Sequence, residues 1–313
     1  MKASHGPSTA SNLPRWQTSL GPMILARHLL AVSILGLGIV LPHPALAKPP
    51  IWIVRDADSQ MMLFGSVHVL PAKLDWQPKA LRREVAQADD LWFELPVRPE
   101  TGVEVQALVA EHGTLPDGTN LYSLLSPKAG VALRGAAERY GLSVELLGRL
   151  KPWFAEVALA TSQYRASGAS PETGVEEIVE AQAPETTQRH ALETAREQIL
   201  LFDQTSMADQ IASLETSLNE LADEPSAFDH LVQAWMAGDL AGLTTHALAP
   251  LRKSSPGLYQ RLVIDRNKHW VDELDGRLKG SGKTVVIVGI GHLIGPDGVP
   301  ARLRALGYQV TGP

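Results

Sequence analysis

Apolar positions follow two different rhythms along this 313-residue chain. Near the front, residues 51–55 and 61–67 are β-rich runs on either side of the polar Asp56-Ala57-Asp58-Ser59, a pattern that predicts a hairpin. Residues 78–88 carry Leu81, Val85 and Ala88 at helical spacing, and Leu91-Trp92-Phe93-Glu94-Leu95 then reads as a third, apolar strand. From Thr101 to Leu251 the period shifts to that of helices, punctuated at Pro116-Asp117-Gly118, Ser126-Pro127, Gly168 to Pro171, Ala183-Pro184 and Glu224-Pro225. Residues 191–221 give the longest helical pattern, and Gly238-Asp239 closes another. A helix over 256–278 then leads into a strand over 284–289, a short helix over 299–306 and a last strand over 308–310. The economical architecture is α/β (α+β): a central mixed sheet built from 48–100 and 252–313, with 101–251 inserted as an all-helical subdomain of one domain.

The first 55 residues contain no acid, which changes the reading of the N-terminus. Residues 24–41 are largely apolar, follow Arg15 and Arg27, and precede Ala45-Leu46-Ala47. This predicts a signal peptide over 1–47, cleaved after Ala47, with Met23 as an alternative initiator. Pro42 and Pro44 cut the apolar stretch short of the roughly 20 residues that a spanning helix needs. A periplasmic or secreted protein with no integral span after processing is therefore expected. It has no cysteine, hence no disulfide, thiolate or lipid-attachment chemistry, and its 266 processed residues must be held by their core. Loss of the leader removes Lys2, Arg15 and Arg27, leaving 25 basic and 34 acidic residues, a balance that favours neither nucleic acid nor anionic membrane.

Candidate chemistry comes from a repeated spacing. Gly65-Ser66-Val67-His68 and Gly289-Ile290-Gly291-His292 each place a glycine three residues before a histidine, each at the end of an apolar strand, 224 residues apart. A local device has no reason to recur at that separation, whereas two halves of one site do. Glu94 sits at the end of a third strand, and parallel strands joined through helices bring their carboxyl ends to one sheet edge. Neutral imidazoles with a carboxylate suit a divalent ion that keeps positions open for water and substrate. The glycines would allow a sharp turn or a close approach. Histidines and a strand-end carboxylate that only satisfy local hydrogen bonds are the alternative. Ser66 lacks the G-x-S-x-G elbow, and the glycines of 289–295 lack dinucleotide-loop spacing.

These segments, with Lys151-Pro152-Trp153, Gly174-Val175-Glu176, Leu192-Glu193-Thr194, Trp235 with Gly238-Asp239, Asp265-Arg266-Asn267 with Trp270, and Leu293-Ile294-Gly295-Pro296-Asp297-Gly298, resemble the TraB/GumN family, which includes the animal Tiki proteins. The resemblance spans essentially all of 48–313. It implies a fold distantly similar to erythromycin esterases and haem-binding ChaN-like proteins and, through Tiki, metalloprotease activity. Carried over position by position, it implies His68, Glu94 and His292 as metal ligands, with Glu193, Arg266 and Asn267 as further site residues. Glu176 stands where many members have aspartate, which leaves its role open. Trp153, Trp235 and Trp270 are read as core.

The expected function is a metal-dependent hydrolase of the cell envelope acting on peptides or another envelope substrate. A divalent ion (manganese, cobalt, zinc or iron) would lower the pKa of a bound water, Glu94 or Glu193 would take its proton, and Arg266 or Asn267 would stabilise developing charge. A non-catalytic metal- or haem-binding envelope protein and a metal-independent esterase with a histidine base are the competing expectations.

Overall fold

The computed structural model describes residues 47–224 and 226–313. The predicted leader, with its alternative start at Met23, lies outside the described residues apart from Ala47. Among the described residues, no helix is long and apolar enough to cross a membrane.

Eight strands form among the described residues: β1 Ile51–Arg55, β2 Ser59–Ser66, β3 Leu70–Pro71, β4 Asp90–Phe93, β5 Ala169–Ser170, β6 Gln188–Ala191, β7 Gly282–Gly289 and β8 Gln309–Thr311. Six of them make one mixed sheet in the order β6-β4-β7-β2-β1-β8, while β3 and β5 pair separately. β1 is antiparallel to β2 and β8, the predicted hairpin and the closing edge. β2, β7, β4 and β6 run parallel to one another. The central strands are continuous apolar runs because both faces are covered: Met61 to Phe64 and Val285 to Val288 are all buried. β-branched Val285, Val286, Ile287 and Val288 fit that doubly packed surface. Each such side chain contributes on the order of 1.5–3 kcal/mol of burial.

β6 departs from the all-helical reading of 101–251. Gln188-Arg189-His190-Ala191 has no apolar alternation, so its sequence offers no strand signal. It extends because β4 provides the template, pairing Asp90 with Gln188 and Phe93 with Ala191, and because His190 stacks on Trp92 at 4.6 Å. The short β5 also lies inside that segment. Elsewhere the insertion is helical, with helices at Pro99–His112, Pro127–Tyr140 and Pro152–Ala166 each opening on proline at the first position. Ala195–Asp203 opens on a capping box formed by Thr194 and Glu197.

The predicted helix over 256–278 is interrupted. Pro256–Tyr259 passes into a π-helical stretch, Gln260–Asp265, before regular winding resumes at Arg266–Leu278. Wide turns of this kind concentrate at functional sites. Arg266–Leu278 grips β4 at both ends. Its first residue bonds Glu94, just past the strand, and Arg277 forms a double contact with Asp90 at the strand's start, 2.6 and 2.9 Å. Eleven helical residues rise about 16 Å and four strand residues about 13 Å, a mismatch that two arginine side chains absorb.

In the insertion, Glu156 is buried between Pro152–Ala166 and Met207–Asp223, accepting hydrogen bonds from Ser213 (3.1 Å) and Ser217 (2.6 Å). Burial pushes its carboxyl up from 4.5 to about 7, against the two serine bonds and with help from Glu220. A raised carboxyl pKa stabilises the fold fully below the unfolded value, and that contribution is lost as pH rises through the folded value. Glu156→Gln therefore gains on the parent between pH 5 and 8, by up to about 3 kcal/mol if the whole shift is expressed. Urea midpoints at the two pH values check this, and a pH-independent difference would contradict it.

Candidate active site

Four adjacent parallel strands each deliver a site residue just past their carboxyl ends. In sheet order these are Glu193 after β6, Glu94 after β4, His292 after β7 and His68 after β2. Backbone pairing continues one step beyond the ladder, with Glu193 N–H donating to the Glu94 carbonyl at 2.9 Å, so the two glutamates stay side by side. Gly65 pairs with Val288 and Ser66 with Gly289, which places the two G-x-x-H glycines one position out of register.

Of the two roles expected of the glycines, Gly65 fills the second. A Cβ there would lie 2.3 Å from Ile290 Cδ1 and 3.1 Å from its Cα. The first motif's glycine thus makes room for the second motif's isoleucine. Gly174 plays a similar part, since a Cβ on it would come within 2.1 Å of the His68 carbonyl oxygen. Trp235, fully buried as expected, fixes the strand end by donating its indole N–H to the Gly65 carbonyl at 2.8 Å.

Arg266 is the hub. Its Nε donates to Glu193 Oε1 (2.6 Å), Nη2 to Glu193 Oε2 (2.9 Å) and Glu94 Oε2 (2.7 Å), and Nη1 to the Leu262 carbonyl (3.3 Å) and His292 Nε2 (3.1 Å). Burial alone would lower the guanidinium pKa, but Glu193 and then Glu94 outweigh it and raise it. Trp270 packs beneath, 4.6 Å from Arg266 Cζ and 4.3 Å from the His292 ring, and donates Nε1–H to Glu193 Oε1 at 2.9 Å. Its place in the core and its place in the site are thus the same. Gln198 adds weaker contacts to Glu94 (3.3 Å) and Glu193 (3.5 Å), and the Gly289 N–H donates to Glu94 Oε1 at 2.7 Å.

These partners fix the state of His292. Asn267 Nδ2 donates to the carbonyls of His292 and Asp297, so its Oδ1 is the atom facing His292 Nδ1 at 2.6 Å and can only accept. Nδ1 therefore carries the proton and Nε2 the lone pair. Burial first, then Arg266 and His68, hold its pKa well below 6.5, so the ring is neutral at physiological pH.

His68 has an analogous arrangement. Its Nδ1 meets Glu176 Oε1 at 2.6 Å, and Ser66 Oγ donates to the same oxygen at 2.6 Å. Toward a carboxylate Nδ1 is the donor, which leaves Nε2 as the nitrogen that could hold an ion, the pattern of carboxylate–histidine–metal arrangements. His68, Glu94 and Glu176 line an open cleft together with Gln198, Arg98 and Thr101.

The structure thus brings every predicted site residue to one edge, but in two tiers. His68 and Glu94 reach the cleft, while Glu193, Arg266, Asn267 and His292 form the buried floor behind it. Arg266 and Asn267 hold carboxylates, carbonyls and His292, which makes them positioning residues rather than donors to a substrate oxyanion. Glu176 was flagged without a role, and Gln198 and Arg98 were not singled out; Gln198 follows directly on the Thr194–Glu197 capping box, the one local signal near it. The donor set suits a divalent ion in its chemistry: two imidazoles presenting Nε2, and carboxylates. It is not drawn tight, because the ligand atoms of His68, Glu94 and His292 do not all lie within 4.8 Å of one another. Among the described residues, only Glu224, His230 and His246, at the surface, meet that spacing.

A mixed sheet with parallel central strands, a helical insertion and polar chemistry gathered at the carboxyl edge defines an α/β protein of the kind that binds ligands at strand ends. Within that class, the TraB/PrgY/gumN family pattern matches residues 50–312, and the chain belongs to that family. No curated protein and no solved structure matches it.

Arg266→Met leaves Glu94 and Glu193 buried without their cation. Removal of one partner of a buried ion pair costs about 3–5 kcal/mol, and urea denaturation at pH 7 reads it. The deficit shrinks toward pH 4, because the stranded carboxyls then take up protons. An equal loss at both pH values would count against the charge argument.

Proposed function

We propose that this protein is a metal-dependent hydrolase of the cell envelope that cleaves peptide bonds, with a divalent ion held by His68, Glu94 and His292. The observation that carries this reading is a concentration of acid and imidazole at one strand edge: Glu94 and Glu193 are buried on Arg266, Glu176 is buried on His68, and His292 offers the lone pair of a neutral ring. Buried carboxylates in such number are costly unless cations meet them. His292 joins the ligand set once Arg266 Nη1 releases its Nε2, and Arg266 retains its bonds to both glutamates and Leu262.

When bound, the ion supplies a water acidified toward neutral pH. Of the two expected proton acceptors, Glu94 lines the cleft and Glu193 does not, so proton transfer falls to Glu94. Glu193 and Trp270 hold Arg266, and Arg266 with Gln198 and the Gly289 N–H fixes the orientation of Glu94. Arg98, exposed on the cleft wall, is the cation within reach of negative charge developing on a substrate. The acid-free, apolar N-terminal segment with Ala45-Leu46-Ala47 supports an envelope location, periplasmic or secreted. A second reading is favoured by the 2.6 Å His68–Glu176 contact, which orients His68 as a general base for metal-independent ester hydrolysis.

Metal analysis of the purified protein, followed by calorimetric titration with zinc, manganese and cobalt, tests the ligand set. His68→Ala and His292→Ala are expected to abolish tight binding. Glu176→Gln, which acts through His68, is expected to weaken it by about 10–100-fold. Binding as tight as the parent's in both alanine variants would sink the assignment. Cleavage of a peptide library is expected to need the ion and to be lost in Glu94→Gln, whereas chelator-resistant turnover of esters would transfer the function to the His68–Glu176 pair.

A further inference from the structure

Between the helical insertion and the segment 258–262 lies a pocket, open to solvent at its mouth, that shares no residue with the cleft. Its wall combines apolar Val157, Phe202, Leu251, Leu258 and Leu262 with the acids Glu156 and Glu220. Among the described residues, no lysine, arginine or histidine lines it. Three features of the wall point to a ligand. Glu156 is a buried carboxyl held by Ser213 and Ser217, and Glu220 on the same facing helix, Met207–Asp223, is the charged group that acts on it. Trp153 is 3% exposed, yet its indole N–H has no acceptor among the described residues. Gln210 is 3% exposed as well. Its amide nitrogen is anchored on the carbonyls of Phe202, Asp203 and Thr205, but its Oε1 has no donor among them.

Buried polar atoms without partners are rare, because each forfeits its hydration without recompense. Here one N–H lacks an acceptor and one amide oxygen lacks a donor, beside a carboxyl whose bonds from Ser213 and Ser217 both fall on Oε1. Trp153 and Glu156 are three residues apart on one helix, hence neighbours about 5–6 Å apart at Cβ. A ligand that serves both must carry its ammonium and its acceptor oxygen close together.

We infer that this cavity binds an apolar compound bearing a primary ammonium beside a carbonyl oxygen, the chemistry of an amino-acid amide or of a peptide's free N-terminus. The ammonium donates to Glu156 and Gln210 Oε1, the carbonyl accepts from Trp153 Nε1, and the apolar side chain lies against Phe202, Leu251, Leu258 and Leu262. A cation beside Glu156 favours its ionised form, whose ordinary titration in the folded protein falls at about 7, so affinity rises as pH approaches that value and falls again as the ligand's α-ammonium loses its proton at about 8. The site is independent of any ion at His68 and His292.

Calorimetry on the full chain with a chelator present tests this at pH 7.5, using leucinamide, N-acetylleucinamide, which lacks the ammonium, and isopentylamine, which lacks the carbonyl. Leucinamide is expected to bind at least about ten-fold more tightly than N-acetylleucinamide. Glu156→Gln is expected to erase that preference. Trp153→Phe is expected to bring leucinamide down to the level of isopentylamine. Thr216→Phe, which fills the cavity from a half-buried wall position, is expected to abolish binding and serves should Glu156→Gln fail to fold. Equal binding of leucinamide and its N-acetyl form, unchanged affinity in Thr216→Phe, or no binding at roughly 10 mM leucinamide would overturn the assignment. Leucylglycinamide run in parallel separates the two sources: affinity equal to leucinamide's identifies a peptide end, and exclusion identifies a small amide.

Discussion

The guanidinium of Arg266 sits where four structural elements meet, and each depends on it. Through Glu94 it touches the end of β4, through Glu193 the end of β6, through His292 the turn after β7, and through the Leu262 carbonyl the π-helical stretch that precedes it. A buried cation is tolerated only if its donors are satisfied, and here every acceptor comes from a different strand end or turn. The arginine thus welds the carboxyl edge of the sheet to the helix that crosses it. Arg277 repeats the weld at the far end of β4, so Arg266–Leu278 is fixed by two charges at opposite ends of one strand.

This arrangement also sorts the acids. Glu193 is saturated by Arg266 and Trp270 and stays in the floor, whereas Glu94 shares the same cation yet keeps a face on the cleft. His292 is kept neutral by its burial and by the positive charge beside it, and Asn267 decides which of its nitrogens is available. Charge, tautomer and exposure are therefore set by one network.

Much of this was legible in the residues. The paired G-x-x-H and Glu94 announced three strand ends because apolar runs and glycines mark where buried strands stop, and the sheet built from both termini followed from the same texture. What was hidden depended on partners far along the chain. β6 is polar and extends only because β4 is there to pair with, so no periodicity could reveal it. The π-helical turn before Arg266 leaves no compositional trace. The tiering of Arg266 and Asn267 behind the cleft was equally invisible, since a sequence shows which donors exist but not which are already spent. Glu176 could be noticed as an acid after Gly174-Val175, but its bond to His68 arises from two segments that approach within the space of a missing Cβ.

The place of β7 has a consequence for how the molecule comes into being. β2 and β4 lie close in sequence, yet they are never neighbours, because β7 is wedged between them. The N-terminal half can form its hairpin and its helices, but its two parallel strands stay apart until residues 282–289 slot into the gap. Contacts of such long sequence separation form slowly. Until that wedge is driven home, Glu94 lacks the Gly289 N–H and His68 lacks its counterpart. No stretch of the chain that lacks residues 282–292 contains the candidate site; the site comes into being only with the closed sheet.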